Sequence, residues 1–244
     1  MKNFNISYLP YGKNAILAKW PDCISEEILN DIISFRQALR LQLKELARET
    51  VPAYNSVLIF FSEAVRDFSK MEEILEKVYH SRSPSKNKSR NLVHIPVCYD
   101  KRFAPDIDEL AGIKGISAGK VIEMHTAPFY TVYFIGFLPG FMYLGGLDPV
   151  LHQPRKKTPR LRIEKGAVGI AGSQTGIYPL ESPGGWNIIG NSPIRFLDPL
   201  SDLPFFAGAG DKIKFYPVSA GEHEAISESS LRREHILKKE VWND

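Results

Sequence analysis

The sequence predicts an α+β protein of two domains, an N-terminal α/β sandwich over residues 1–90 and a C-terminal β-barrel over residues 91–218. Three observations carry this. Up to about residue 90, short apolar runs of strand length alternate with two stripes of helical period. Between Gly136 and Gly190 lie 11 of the 18 glycines, separated by short β-rich runs. Many short strands joined by Gly and Pro turns indicate a closed or nearly closed sheet. Between these two patterns runs the polar, basic stretch from Ser81 to Arg90, which reads as a loop or linker.

The elements follow in order. Asn5–Leu9 and Ala15–Trp20 are strand candidates around a turn at Gly12-Lys13-Asn14. Ile28, Ile32, Phe35, Leu39, Leu43 and Leu46 recur at steps of three and four, the apolar stripe of a long helix. Ser25 fits its N-cap, Glu26 and Glu27 its positive end, and Pro52 lies beyond its end. Val57–Phe61 is a wholly apolar strand. A second helix carries Met71, Ile74, Leu75, Val78 and Tyr79 on one face, with a capping box from Ser69 to Glu72. Leu92–Tyr99 is the next strand, placed at a sheet edge by Pro96. Two short helices, near Asp106–Ala111 and Ser117–His125, lead into the β-rich part. Its strand candidates are Tyr130–Phe137, Ala167–Ala171, Gly176–Leu180, Trp186–Gly190, Ile194–Leu197 and Lys212–Pro217. Residues 219–244 form a charged C-terminal tail, with the capacity for a surface helix.

Composition narrows the function. The chain of 244 residues is 43% hydrophobic and 24% charged, the balance of a folded globular protein. A formal charge of +3 is too mild to argue for nucleic acid or a membrane surface. Ala127–Leu147 carries no charge, but its interspersed prolines and glycines do not suit a spanning helix. The N-terminus lacks the order of a signal peptide. Cys23 and Cys98 make no disulfide framework or metal knuckle, and together these features lead us to expect a cytoplasmic protein.

Standard catalytic signatures are missing. Val121 follows Gly119-Lys120 where a phosphate loop needs Ser or Thr, and Ser173 directly follows Gly172, one position short of a nucleophile elbow. The six histidines show no ligand spacing, so no metal site is expected. Six basic residues fall between Arg155 and Lys165, and arginines such as Arg155 and Arg160 can fork onto carboxylate or phosphate oxygens; the alternative is a solvated loop. The adjacent Gly184 and Gly185 can present successive N–H groups to an anion, and Trp186 can wall a pocket; the alternative is a tight turn. His125 is a candidate general base, or a helix-end histidine stabilised by the dipole.

Taken in order, these segments resemble a known family. His125 with Tyr130-Thr131-Val132-Tyr133, Gly136-Phe137-Leu138-Pro139-Gly140-Phe141, Pro154-Arg155 and Thr158-Pro159-Arg160 are similar to the core of the KipI/PxpB family. So are Gln174-Thr175-Gly176-Ile177-Tyr178-Pro179 and Ser182-Pro183-Gly184-Gly185-Trp186. The family is also called allophanate hydrolase subunit 1, or carboxyltransferase domain subunit 1. The resemblance runs over roughly residues 3–218 and implies that the barrel is cyclophilin-like, without implying prolyl isomerase activity.

It further implies that a stand-alone chain of this size serves as the B subunit of a bacterial, ATP-dependent 5-oxoprolinase. With its partners, the A and C subunits, such a chain opens the lactam of 5-oxoproline to glutamate and is inactive alone. ATP fits the chemistry, because a lactam is a poor electrophile and phosphorylating its oxygen creates a leaving group. The resemblance implies catalytic roles for His125, Tyr133, Arg155 and Arg160, and substrate or nucleotide contacts from Gln174, Tyr178, Ser182, Gly184, Gly185 and Trp186. It implies ATP, with Mg accompanying it, on this chain or its partner. Two alternatives belong to other branches of the family. One is a KipI-like inhibitor of a sensor histidine kinase, using the aromatic loops as a protein interface. The other is a subunit of a urea- or allophanate-processing carboxyltransferase.

Overall fold

In the computed structural model, the described residues are 3–83, 90–198, 205–235 and 237–242. The chain divides into two compact units, Met1–Lys88 and Ser89–Asp244.

The first unit contains strands β1 (Ser7–Pro10) and β2 (Ala15–Lys19), helix α1 (Glu26–Gln42), strands β3 (Ala47–Pro52) and β4 (Ser56–Phe61), and helix α2 (Phe68–Ser81). The strands form an antiparallel sheet in the order β1-β2-β4-β3. Strict alternation puts Val57, Ile59 and Phe61 of β4 on the buried face, against Ile28, Ile32, Phe35 and Leu39 of α1 and Leu75 and Val78 of α2. Ser25 caps α1, its hydroxyl accepting from the Ile28 N–H at 3.2 Å. Asp67, not Ser69, caps α2, accepting from the Lys70 N–H at 3.0 Å. Strand β3 was not expected. Leu46 continues the helical stripe, but α1 stops at Gln42 and the chain turns back as an edge strand. The buried Asp31 carboxylate ties the unit's core together, accepting from the Trp20 indole, the Tyr79 hydroxyl and the Arg82 guanidinium. The expected linker falls mostly on residues 84–89, outside the described residues.

The second unit opens with β5 (Arg90–Cys98), α3 (Ile107–Lys114), α4 (Ala118–Thr126), β6 (Tyr130–Ile135) and β7 (Met142–Gly145). It continues with β8 (Arg160–Ile163), β9 (Ala167–Ala171), β10 (Gln174–Ile177), β11 (Ser182–Gly184), β12 (Asn187–Asn191), β13 (Lys212–Val218), α5 (Ala220–Leu231) and β14 (Lys239–Trp242). Seven strands close a barrel in the order β5-β13-β6-β7-β10-β9-β12, and the Asn191–Cys98 pairing joins β12 back to β5. Only β5 and β13 run parallel among these pairs. Val93, Ile95, Val97, Val132, Leu144, Val168, Ile170, Ile189, Ile213 and Phe215 fill the interior, joined by Ile107, Leu110 and Val121 from α3 and α4. Strands β8 and β11 make a separate two-stranded ribbon.

Three expectations are corrected. Strand β5 has β13 along one side, while β14 pairs with residues 90–93 and β12 with Cys98 on the other. Pro96 therefore sits in the gap between β14 and β12, an edge in the local sense only. Ile194–Leu197 is not a strand, although Ile194 and Phe196 are buried in the barrel core. The tail after residue 219 forms the surface helix it was given the capacity for, α5, begun by a Ser219–Glu222 capping box, but it ends in an unexpected strand, β14, hydrogen-bonded to β5.

Candidate functional site

The outer face of strands β7, β10 and β9 is floored by small residues. Ala167, Gly169 and Ala171 of β9, Gly176 of β10 and Gly145 of β7 leave room for rings to lie close to the backbone. A Cβ on Gly176 would come within 3.1 Å of the Phe141 ring and 3.0 Å of the Trp186 ring. On this floor Phe141 packs edge-on against Tyr178 and Trp186, with centroids 5.1 and 5.3 Å away. Tyr143 packs 4.8 Å from Phe141 and stacks on Phe134 at 4.2 Å. Ile163 and Ile188 complete the buried part of this aromatic shelf.

Arg155 stands exposed beside the shelf and carries no hydrogen bond or ion pair among the described residues. Its charge reaches two phenols. Burial raises the Tyr143 pKa, and Arg155 pulls it partly back. Burial pushes Tyr178 up to about 12, against the pull of Arg155 and of the Trp186 N–H bonded to its hydroxyl. Both phenols therefore stay protonated at neutral pH; Tyr143 is half-buried, whereas Tyr178 is enclosed. An exposed guanidinium beside the half-buried Tyr143 is suited to a small anion.

The loop bearing Arg155 is held from several sides. Asn187 donates its side-chain amide to the Pro154 carbonyl at 2.9 Å, and the Lys156 N–H donates to the Gly185 carbonyl at 2.7 Å. Asp106 accepts two bonds from Arg160, at 2.8 and 2.6 Å, and one from the Ile188 N–H at 2.6 Å. The Lys156 ammonium lies 2.9 Å from Asp106 and 2.7 Å from Glu109. Burial alone would raise the Asp106 pKa, but the bonds from Arg160, Lys156 and Ile188 outweigh it and hold it below the usual range.

The expected site residues thus fall into two groups. Arg155, Tyr178, Trp186 and the Gly184-Gly185 turn come together around the shelf. Gln174 opens β10, half-buried on the same strand as Gly176. The others lie elsewhere or are already engaged. Arg160 spends its fork on Asp106, which leaves it no free pair of donors for a ligand. The Ser182 hydroxyl donates to the Pro183 carbonyl. Tyr133 is the extra residue of a bulge between Val132 and Phe134, and its ring lies over Gly145, at the edge of the same floor but outside the buried cluster of rings. Neither Gly184 nor Gly185 has positive φ, so no αR-αL anion nest forms there. Gly184 is glycine because any Cβ would strike the Tyr178 hydroxyl and Ile163.

His125 lies apart from the shelf, in the last turn of α4, where the helix-end reading puts it. It is fully buried, stacked on Phe215 at 4.8 Å, and burial lowers its pKa to about 3. The Thr175 hydroxyl donates to the Gly169 carbonyl at 3.0 Å, so it accepts from the His125 Nε2–H at 2.9 Å. Nδ1 then accepts from the Tyr99 hydroxyl at 2.7 Å. Every donor is used, and a neutral, enclosed imidazole does not serve as a general base near pH 7. Asp106 and Asn187 were missed by sequence reasoning. Asp106 precedes a short helix like any capping residue, and no local pattern marks its long-range partners.

The fold and site define a barrel-bearing α+β chain with an aromatic and guanidinium site on the barrel's outer wall. The chain belongs to the family of the carboxyltransferase domain, subdomain C and D, which matches residues 6–207. It is 34% identical over 229 residues to the 5-oxoprolinase B subunit of Bacillus subtilis, covering 90% of this chain and 95% of that protein. It is 36% identical over 210 residues to the 5-oxoprolinase B subunit of Haemophilus influenzae, covering 86% and 97%. The crystal structure of TTHA0988 matches with a TM-score of 0.73 at 33% identity, covering 84% of this chain and 40% of that longer one. Urea amidolyase of Saccharomyces cerevisiae is 33% identical over 135 residues, covering 50% of this chain and 7% of that protein. Urea amidolyase of K. lactis shares the fold over 97% of this chain and 16% of its own, with a TM-score of 0.83 at 21% identity. Among the described residues, no helix is long and apolar enough to cross a membrane.

Proposed function

We propose that this chain is the B subunit of an ATP-dependent 5-oxoprolinase, working with the A and C subunits to convert 5-oxoproline, ATP and two waters to glutamate, ADP and phosphate. The observation that carries the reading is its similarity to B subunits over nearly their whole length. A subunit name implies a complex, so this chain alone is expected to be inactive.

The site suits the small acid better than the nucleotide. Arg155 pairs with the substrate carboxylate, and the half-buried, protonated Tyr143 at the margin of the shelf donates towards the lactam oxygen. A triphosphate with Mg needs several cations or backbone donors. Here Lys156 and Arg160 are committed to Asp106, and the glycine turn makes no αR-αL nest. Among the described residues, no three His, Cys, Asp or Glu side chains converge to hold a metal ion. We therefore assign ATP and its Mg to the partner subunits.

The test is glutamate formation from 5-oxoproline and ATP by this chain alone, with the C subunit, and with the A and C subunits together. Activity in the full mixture only is the expected result. A folded, fully assembled mixture without activity would overturn the reading. It would favour the second one, a carboxyltransferase subunit, which the urea amidolyase match supports.

A further inference from the structure

We infer that Asp106 is a positioning residue for Arg155: by gripping Lys156 and Arg160 it fixes the loop that holds the Arg155 guanidinium beside the aromatic shelf. This rests on the reading of Arg155 as the cation that meets the substrate.

Asp106 occupies the N-cap position of α3, where aspartate ordinarily bonds its own helix's N–H groups. Here it makes no such side-chain bond. Both oxygens are turned instead to other elements: Oδ1 to Arg160 and Lys156, Oδ2 to Arg160 of β8 and the Ile188 N–H of β12. The carboxylate is 2% exposed, so its lost hydration must be offset by these partners. A charge buried at that cost, on a residue that leaves its own helix uncapped, joins α3, the 154–160 loop, β8 and β12.

Arg155 stands inside this frame. Pro154 before it is fixed through Asn187, and Lys156 after it through Gly185 and Asp106. Asp106 also neutralises the neighbouring cations, which would otherwise repel Arg155 and compete for its anion. Glu109, exposed on α3, holds Lys156 alone and does not reach Arg160 by a hydrogen bond.

The test is a double-mutant cycle in the assembled three-subunit complex, with Asp106→Asn, Arg155→Ala and the pair. Asparagine keeps the shape and an acceptor for the Ile188 N–H but loses the charge. Asp106→Asn should raise KM for 5-oxoproline by about 10- to 100-fold, with kcat changed far less. In the Arg155→Ala background the same change should cost less than about twofold, because the residue it acts through is gone. A purely structural defect lowers the active fraction equally in both backgrounds, so effects that simply multiply would overturn the proposal.

If Arg155→Ala leaves the complex fully active, or the complex turns over no substrate, the ligand-binding reading fails instead. Positioning is then judged by the Arg155 Nε–H resonance of the whole chain, identified by its absence in Arg155→Ala. Movement or broadening of that resonance in Asp106→Asn supports the proposal, and an unchanged resonance overturns it. Should Asp106→Asn not fold, Lys156→Met releases the loop while keeping the Asp106–Arg160 pair, and the same outcomes apply.

Discussion

His125 and Arg155 show how far residue identity and residue role can separate. Both carry chemistry suited to a site, yet His125 is a sealed strut of the barrel and Arg155 an exposed cation. Removing the His125 ring leaves a cavity and strips the Tyr99 and Thr175 hydroxyls of a partner. His125→Ala should therefore cost about 2–5 kcal/mol in a urea titration. The same residue makes the fold acid-sensitive. Burial holds its pKa near about 3, against about 6.5 in an unfolded chain. Between those values the unfolded state binds the extra proton, so the contribution is complete above about pH 6.5 and is lost as pH falls towards 3. The urea midpoint of the wild type should fall from pH 7 to 4.5, and His125→Ala should flatten that slope. Arg155→Ala, by contrast, should leave the midpoint within about 0.5 kcal/mol of wild type, as for an exposed side chain, while raising KM for 5-oxoproline in the complex.

At the scale of the element, the glycines are the instructive residues. Their density announces a β structure, and it reads locally as turns. Several stand inside strands instead, at Gly169, Gly176 and Gly190, where rings or neighbouring backbone approach too closely for a side chain. Nothing in the local sequence separates a glycine needed for a turn from one needed for clearance. Strands β3, β7, β8, β11 and β14 escaped the sequence reading for a related reason: each is short and defined by its partner more than by its own pattern. Gly184→Ala should destabilise the protein by about 1–3 kcal/mol, because the new methyl meets the Tyr178 hydroxyl and Ile163. The shift is measurable by urea unfolding, and a crystal structure of the variant should show Tyr178 displaced.

For the whole molecule, the two compact units each carry a buried tryptophan, Trp20 in the first and Trp186 in the second. Trp20→Phe and Trp186→Phe variants should report two unfolding transitions with different urea midpoints. Coincident curves would mean that the units unfold as one. The barrel also pairs Lys212–Val218 with Leu92–Cys98 in parallel, across 120 residues of sequence. Contacts of that separation bring a large loop-closure cost before they stabilise anything, so the second unit should refold in milliseconds to seconds or more slowly, as stopped-flow fluorescence would show.

The sequence by itself determined the α+β class, the two long helices of the first unit, and the β-rich nature of the second. These follow from periodicity and composition, which act over a few neighbouring residues. It also drew attention to the Arg155 loop and the Ser182–Trp186 string. Only the tertiary structure decided which of those side chains remain available. Closing the barrel buried His125, placed Asp106 against Arg160 and Lys156, and left Arg155 beside a shelf of rings. Burial and ion pairing depend on partners brought from distant positions, and no local pattern encodes which partner a charged side chain will meet.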